Sequence, residues 1–187
     1  MSSFIISDNN NRVIRKEEFI AMLDTTGLMF EMPEGFRETV VRQNKDLWYS
    51  FAIKHKKEQY EIRYSVWSLK PALADYQKCL QDTNCKMIHP NSIYLGRIQS
   101  NVLNMTGGQM WNIDPFPVPS VKREFNADAG GSSFFEFKCE FGKGYKYGQM
   151  VYLHKNDVAD VIITYMSNDK KVHTALMEKA FHALKFK

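Results

Sequence analysis

The chain has 187 residues, of which 44% are hydrophobic, 13% aromatic and 25% charged, with a formal net charge of +4. This is the profile of one globular domain with material for a core; six Pro and ten Gly are too few for a low-complexity or collagenous chain, and the apolar content is too high for a disordered one. The short basic cluster Lys54-His55-Lys56-Lys57 is closed at once by Glu58 and reads as a solvated turn, which argues against a nucleic-acid partner.

Residues 1–11 are polar and Asn-rich, a flexible start to a single domain spanning 12–187. They show neither a basic segment followed by an apolar stretch nor a small-residue cleavage site, so they do not read as a signal peptide. Nothing further along approaches the ~20 apolar residues of a membrane span. The expected location is the cytoplasm, or the periplasm had an export signal been removed. Phe19, Ile20, Met22 and Leu23 predict a small helix over Arg15 to Leu23, and Leu28 to Met32 an extended piece closed by Pro33-Glu34-Gly35. Phe36 to Arg42 is a second extended segment. Leu47, Tyr49, Phe51 and Ile53, then Tyr60, Ile62, Tyr64 and Val66, alternate with smaller or polar partners, which predicts an antiparallel hairpin turning through His55 to Gln59.

Pro71 opens a helix with Leu73, Tyr76, Cys79 and Leu80 at helical spacing, and Lys86 to Gln109 reads as a second helix. Together they form a helical insertion at about 71–106. The breaker-rich stretch Gly107 to Pro119 leads through a loop, Val121 to Gly130, into a strand carrying Phe135, Phe137, Cys139 and Phe141. The chain turns over Gly142 to Lys146, returns from Gln149 to His154, and turns tightly at Lys155-Asn156-Asp157. Val158 to Met166 is apolar on both faces and belongs in the middle of the sheet. Ser167 or Asn168 caps a last amphipathic helix with Val172, Leu176, Met177, Ala180, Phe181 and Leu184 on one stripe. This order predicts an α+β fold, a mainly antiparallel sheet covered by helices.

Three features carry a resemblance: the phrase Phe30 to Phe36 (F-x-M-P-E-G-F) entering a hairpin, the late meander ending in the strand DVIITYM, and the close Ala183 to Phe186 (A-x-K-F). With them the chain resembles the PsbP-like superfamily, which includes bacterial DcrB-type proteins. The resemblance implies an α/β/α sandwich and a non-enzymatic binding or assembly role. It departs from the exported members in lacking a signal peptide.

The chemistry offered by single residues is sparse. Three cysteines exclude a complete disulfide framework and favour a reducing compartment, although Cys79 and Cys85 would pair if the helix broke at Asp82-Thr83-Asn84. No two of the five histidines, His55, His89, His154, His173 and His182, have helical chelate spacing. They read as surface residues, and no metal or other cofactor is expected. Cys139 reads as a core thiol: a turn centred on Gly144 pairs it with position 149 and leaves His154 about 16 Å away along the strand. Gly130-Gly131 and Gly142-Lys143-Gly144 read as turns, because neither opens a helix that would cradle phosphate.

The remaining candidate surface is the 121–130 loop, with Lys122, Arg123, Asn126 and Asp128 as binding residues and Trp111 as an aromatic neighbour. Asn126 and Asp128 would equally serve to close a local turn. The expected function is a non-catalytic binding or assembly protein acting on another protein. The alternative is a small-ligand binder or enzyme with a pocket between the sheet and the helical insertion, using Arg123, Asn126, Asp128 and His154.

Overall fold

The computed structural model describes residues 16–42 and 44–187, so the polar start expected at 1–11 lies outside the described residues. Helix α1 (Lys16–Thr26) has Glu17 and Glu18 in its first turn, where carboxylates favour the positive end of the helix. Gly27 stops it with φ +65°, a conformation open to glycine without a Cβ penalty. Strand β1 (Leu28–Phe30) leads through the Pro33–Phe36 turn into β2 (Phe36–Glu38), followed by β3 (Phe51–His55) and β4 (Tyr60–Ser68). The insertion holds α2 (Lys70–Cys79), a single turn of 3-10 helix at Pro90–Ser92, and α3 (Tyr94–Met105). The chain closes with β5 (Asp114–Pro115), α4 (Val118–Phe125), β6 (Ala129–Glu136), β7 (Tyr147–Lys155), β8 (Ala159–Ser167), α5 (Lys170–Ala180) and β9 (Leu184–Phe186).

Seven strands form one antiparallel sheet in the order β2-β3-β4-β8-β7-β6-β5, while β1 and β9 pair separately. The class is α+β. Alternation along each strand divides the core into two layers. Tyr60, Ile62, Tyr64 and Val66 of β4 join Val161, Ile163 and Tyr165 of β8 on the face covered by α1, α4, α5 and the β1–β9 pair. Ile162 and Met166 of β8 join Met150 and Tyr152 of β7 on the other face, under α3 and the Val41–Tyr49 segment. Strand β8, dry on both faces, lies at the centre with all nine residues buried, where the apolar residues on both its faces placed it.

Several local expectations change. The second helix of the insertion is shorter, running from Tyr94 to Met105, because Pro90 holds the residue before it, His89, extended and so stops any helix begun at Lys86. The 121–130 loop is largely helix α4, since Pro117 and Pro119 suit a helix start and Val121 and Phe125 supply an inward stripe. Strand β6 stops at Glu136, so Cys139 lies in the loop after it and not on the strand. There burial raises its thiol above the ordinary range, with the carboxylate of Asp46 adding to the effect. Gly130 and Gly131 are strand residues; neighbouring strands come too close for a side chain at Gly131, and leave only a tight fit at Gly130. The last helix is capped by Asp169, whose carboxylate accepts from the N–H groups of Lys171 and Val172, and it ends at Ala180. Ala183 to Phe186 therefore runs into β9, which is a strand because β1 offers it a free edge.

The cysteines and histidines also differ from the surface picture. The chain does break after Cys79, through Asp82 N–H to Cys79 O and Cys85 N–H to Asp82 O, and Cys79 and Cys85 form a disulfide with Cα atoms 5.3 Å apart. His173 on α5 is buried against the rings of Tyr60 and Phe134, with Nε2 facing Gln149 Oε1 at 3.1 Å. Burial pushes its pKa from 6.5 down to about 4. The folded state thus holds this ring neutral where the unfolded chain takes up a proton, so its contribution to stability is complete above pH 6.5 and is lost as pH falls from 6.5 towards 4. Denaturant melts across that interval are expected to show the loss. In His173→Phe, which keeps the ring packing, that part of the profile should flatten.

Candidate functional site

Helix α4 places Lys122 and Arg123 in its last turn, both exposed, while Val121 and Phe125 of the same helix are buried in the core. Asn126 terminates the helix in the left-handed region, φ 49°, and its Nδ2 donates to the carbonyl oxygen of Lys187, tying α4 to the end of the chain. The Asp128 carboxylate accepts from the Asn156 N–H at 2.9 Å and from Lys122 Nζ at 3.3 Å. Burial pushes this carboxyl up, and the Asn156 N–H and Lys122 outweigh it to leave the group below its ordinary range. Arg123 pairs with Glu124, which also meets His182. Trp111 does not join these four: it packs half-buried against the α3 layer, across the sheet from Val121 and Phe125.

His154 is likewise on the α3 face, with 2% of its surface exposed. In the β7–β8 register it stands directly opposite Asp160, and Trp67 of β4 stands on the far side of Asp160. His154 Nδ1 lies 2.6 Å from Asp160 Oδ1, and Arg97 of α3 donates to Asp160 Oδ2. The imidazole stacks on Tyr94 at 4.2 Å and the Arg97 guanidinium lies over Trp67. A histidine oriented by an aspartate is half of a general-base arrangement, but Nε2, the atom such a base turns towards substrate, faces Asn156 Oδ1 at 3.1 Å. The group is a brace. It fixes the first turn of α3 to the β7–β8 hairpin, and Asn156 continues it to Asp128 on the sheet's other side.

The sequence reading brought Asp128 and His154 into one list for another reason, and missed Arg97, Asp160, Tyr94 and Trp67. The turn at Asn156-Asp157 contained half of the signal, because a hairpin centred on Asp157 necessarily sets 154 against 160.

Two open clefts flank the loop that joins β6 to β7 and share Lys143, Gly144 and Tyr145. The wider, about 540 Å³, runs past Asp46, Asn104 and Cys139. The narrower, about 260 Å³, lies against β3 and β4 and is lined by Arg42, Lys54, Glu61 and Arg63. Among the described residues no group of three or more His, Cys, Asp or Glu side chains converges in a way that would hold a metal ion, and no helix is long and apolar enough to cross a membrane.

The segment 70–95 is different in kind. Helix α2 buries none of its residues. It is joined to the returning chain by the Cys79–Cys85 bridge and by the Tyr76 ring set edge-on to His89 at 4.9 Å. Leu80, Met87, Ile88, Ile93 and Leu95 are exposed along it, Ile88 by 67%. Comparison with protein-family models and with curated proteins finds no match to this sequence.

Proposed function

We propose that this chain is a non-catalytic binding protein of the PsbP-like kind that docks a partner protein through the disulfide-tied arm at 70–95. The observation that carries this reading is the arm itself: helix α2, with no buried residue, is tied by the Cys79–Cys85 bridge to the chain that follows it, and five large apolar side chains beyond the helix, Leu80, Met87, Ile88, Ile93 and Leu95, are exposed. Exposed apolar groups gathered in this way and rimmed by polar residues mark contact surfaces. Lys78 is paired with Asp75; of the arm's other charges Lys70 and Lys86 outnumber Asp82, and none of these three forms an ion pair among the described residues. The occupant is therefore a protein surface with an apolar centre and an acidic rim. The contacts of Asn126, Asp128 and His154 within the chain support binding over catalysis, because they hold the fold together and leave no aligned base. The bridge also favours an oxidising compartment over the cytoplasm expected from the sequence.

A photo-reactive amino acid at Ile88, with the same group at Lys179 on α5 as control, tests the docking. One adduct is expected from Ile88 and none from Lys179, and Met87→Glu should abolish it. Cys79→Ser with Cys85→Ser should weaken it while leaving Tm nearly unchanged, since neither cysteine is buried and helix α2 buries none of its residues. Equal labelling from both positions, or an adduct indifferent to Met87→Glu, would overturn the reading.

A further inference from the structure

The narrower cleft carries an imbalance of charge that the fold does not use. Arg42, Lys54, Arg63 and Lys143 line it, against a single carboxylate, Glu61. Both oxygens of Glu61 are already engaged: Oε1 accepts from Arg63 Nε at 2.7 Å and Oε2 from the Tyr145 hydroxyl at 3.2 Å. One cation is thereby neutralised. Arg42, Lys54 and Lys143 form no ion pair among the described residues, so about three positive charges converge on a space of about 260 Å³.

Arg63 gives this cleft a fixed floor. The residue is 8% exposed, and its guanidinium lies against the rings of both Tyr49 and Phe141, at 4.8 and 4.5 Å. Nε is held by Glu61 and Nη1 donates to the Phe141 carbonyl oxygen, which fastens the β6–β7 loop to the sheet. Among the described residues Nη2 has no partner, and the side chain that carries it lines the cleft. A buried guanidinium with two edges locked and one donor left, beside two exposed cations, Arg42 and Lys143, and the half-buried Lys54, is organised before any ligand arrives. Such preorganisation lowers the ordering cost of binding.

We propose that this cleft binds the phosphoryl group of a compact phosphate monoester. A dianionic phosphoryl group with three acceptor oxygens matches the local excess of charge and the donor geometry of arginine, whereas a monocarboxylate would leave most of the excess unanswered. The site lies on β3, β4 and the β6–β7 loop, separate from the arm at 70–95, and stands or falls independently of it.

Calorimetric titration at constant ionic strength in phosphate-free buffer tests the proposal, with glucose 6-phosphate as the soluble probe and glucose as its uncharged control. The lipid form of the same chemistry is tested by sedimentation with phosphatidylcholine vesicles, with and without phosphatidic acid. Saturable binding of one glucose 6-phosphate per chain, with glucose inert, is expected. Arg42→Ala with Lys143→Ala should weaken it by about tenfold or more at unchanged Tm, as both side chains are exposed. Lys122→Ala with Arg123→Ala, far from the cleft, should leave it unchanged. Binding to phosphatidic acid vesicles alone, with the same dependence on Arg42 and Lys143, would support the proposal and identify the source as a lipid headgroup. Absence of binding to both probes, or equal loss in the Lys122/Arg123 variant, would overturn it.

Discussion

Replacing Asp160 by Ala is expected to destabilise the protein by about 3 kcal/mol, because it removes the only acceptor shared by two cationic or proton-donating partners in a nearly dry site. The Asp160 side chain is 6% exposed and that of His154 3%, so neither is rescued by solvent when the other is lost. Arg97 is about one-third exposed and turns to water more readily. Arg97→Ala should therefore cost only about 1 kcal/mol. For a domain of this length the Asp160 change corresponds to a Tm lowered by roughly 6–12 °C. Asp160→Asn should fall between, as the amide keeps one acceptor but turns an NH₂ group towards a donor. Thermal melts of the three variants check the order. If Asp160→Ala melted within a degree of wild type, the brace between α3 and the β7–β8 hairpin would have no energetic meaning.

This brace also shows how far the sequence speaks. Periodicity located β3, β4, β7, β8 and α5 because each has a dry face long enough to repeat, and apolar residues on both faces of 158–166, Val161, Ile162, Ile163 and Tyr165, were enough to place β8 centrally. Local chemistry misled where a residue had two uses. Asn126 reads as a loop residue and is a helix terminator; Ala183 to Phe186 reads as the end of a helix and becomes a strand once β1 lies beside it. The partners of a site were the least legible. Arg97, Asp160 and Trp67 come from α3, β8 and β4, and Arg63 meets Phe141 across 78 positions of chain. Such pairs depend on strand order, and no single segment encodes that order. Leu80, Ile93 and Leu95 of the arm were visible in the sequence, but on helical stripes; in the structure all three are exposed, on an arm whose helix α2 buries none of its residues.

The glycine pair in β6 provides the second large effect. An added Cβ at Gly131 would stand 2.5 Å from the Asp114 carbonyl oxygen, 2.6 Å from Tyr152 Cε1 and 2.9 Å from its hydroxyl. The first obstacle is the backbone of β5, paired with β6 through Pro115 and Gly131, and the second is a ring 4% exposed on β7. Neither is the free end of a flexible side chain, so the strand must shift on both sides at once. Gly131→Ala is expected to cost about 2–3 kcal/mol and to lower Tm by roughly 4–12 °C. Gly96→Ala makes the same chemical change on α3 where nothing lies within 4 Å, and there the methyl group only restricts the unfolded chain and favours the helix. It should raise stability by about 0.5–1 kcal/mol. Opposite signs for the two substitutions would place β5 and Tyr152 hard against β6. A Gly131→Ala protein as stable as wild type would mean that β5 leaves the sheet edge freely, and that the close approach is not what keeps glycine in this strand.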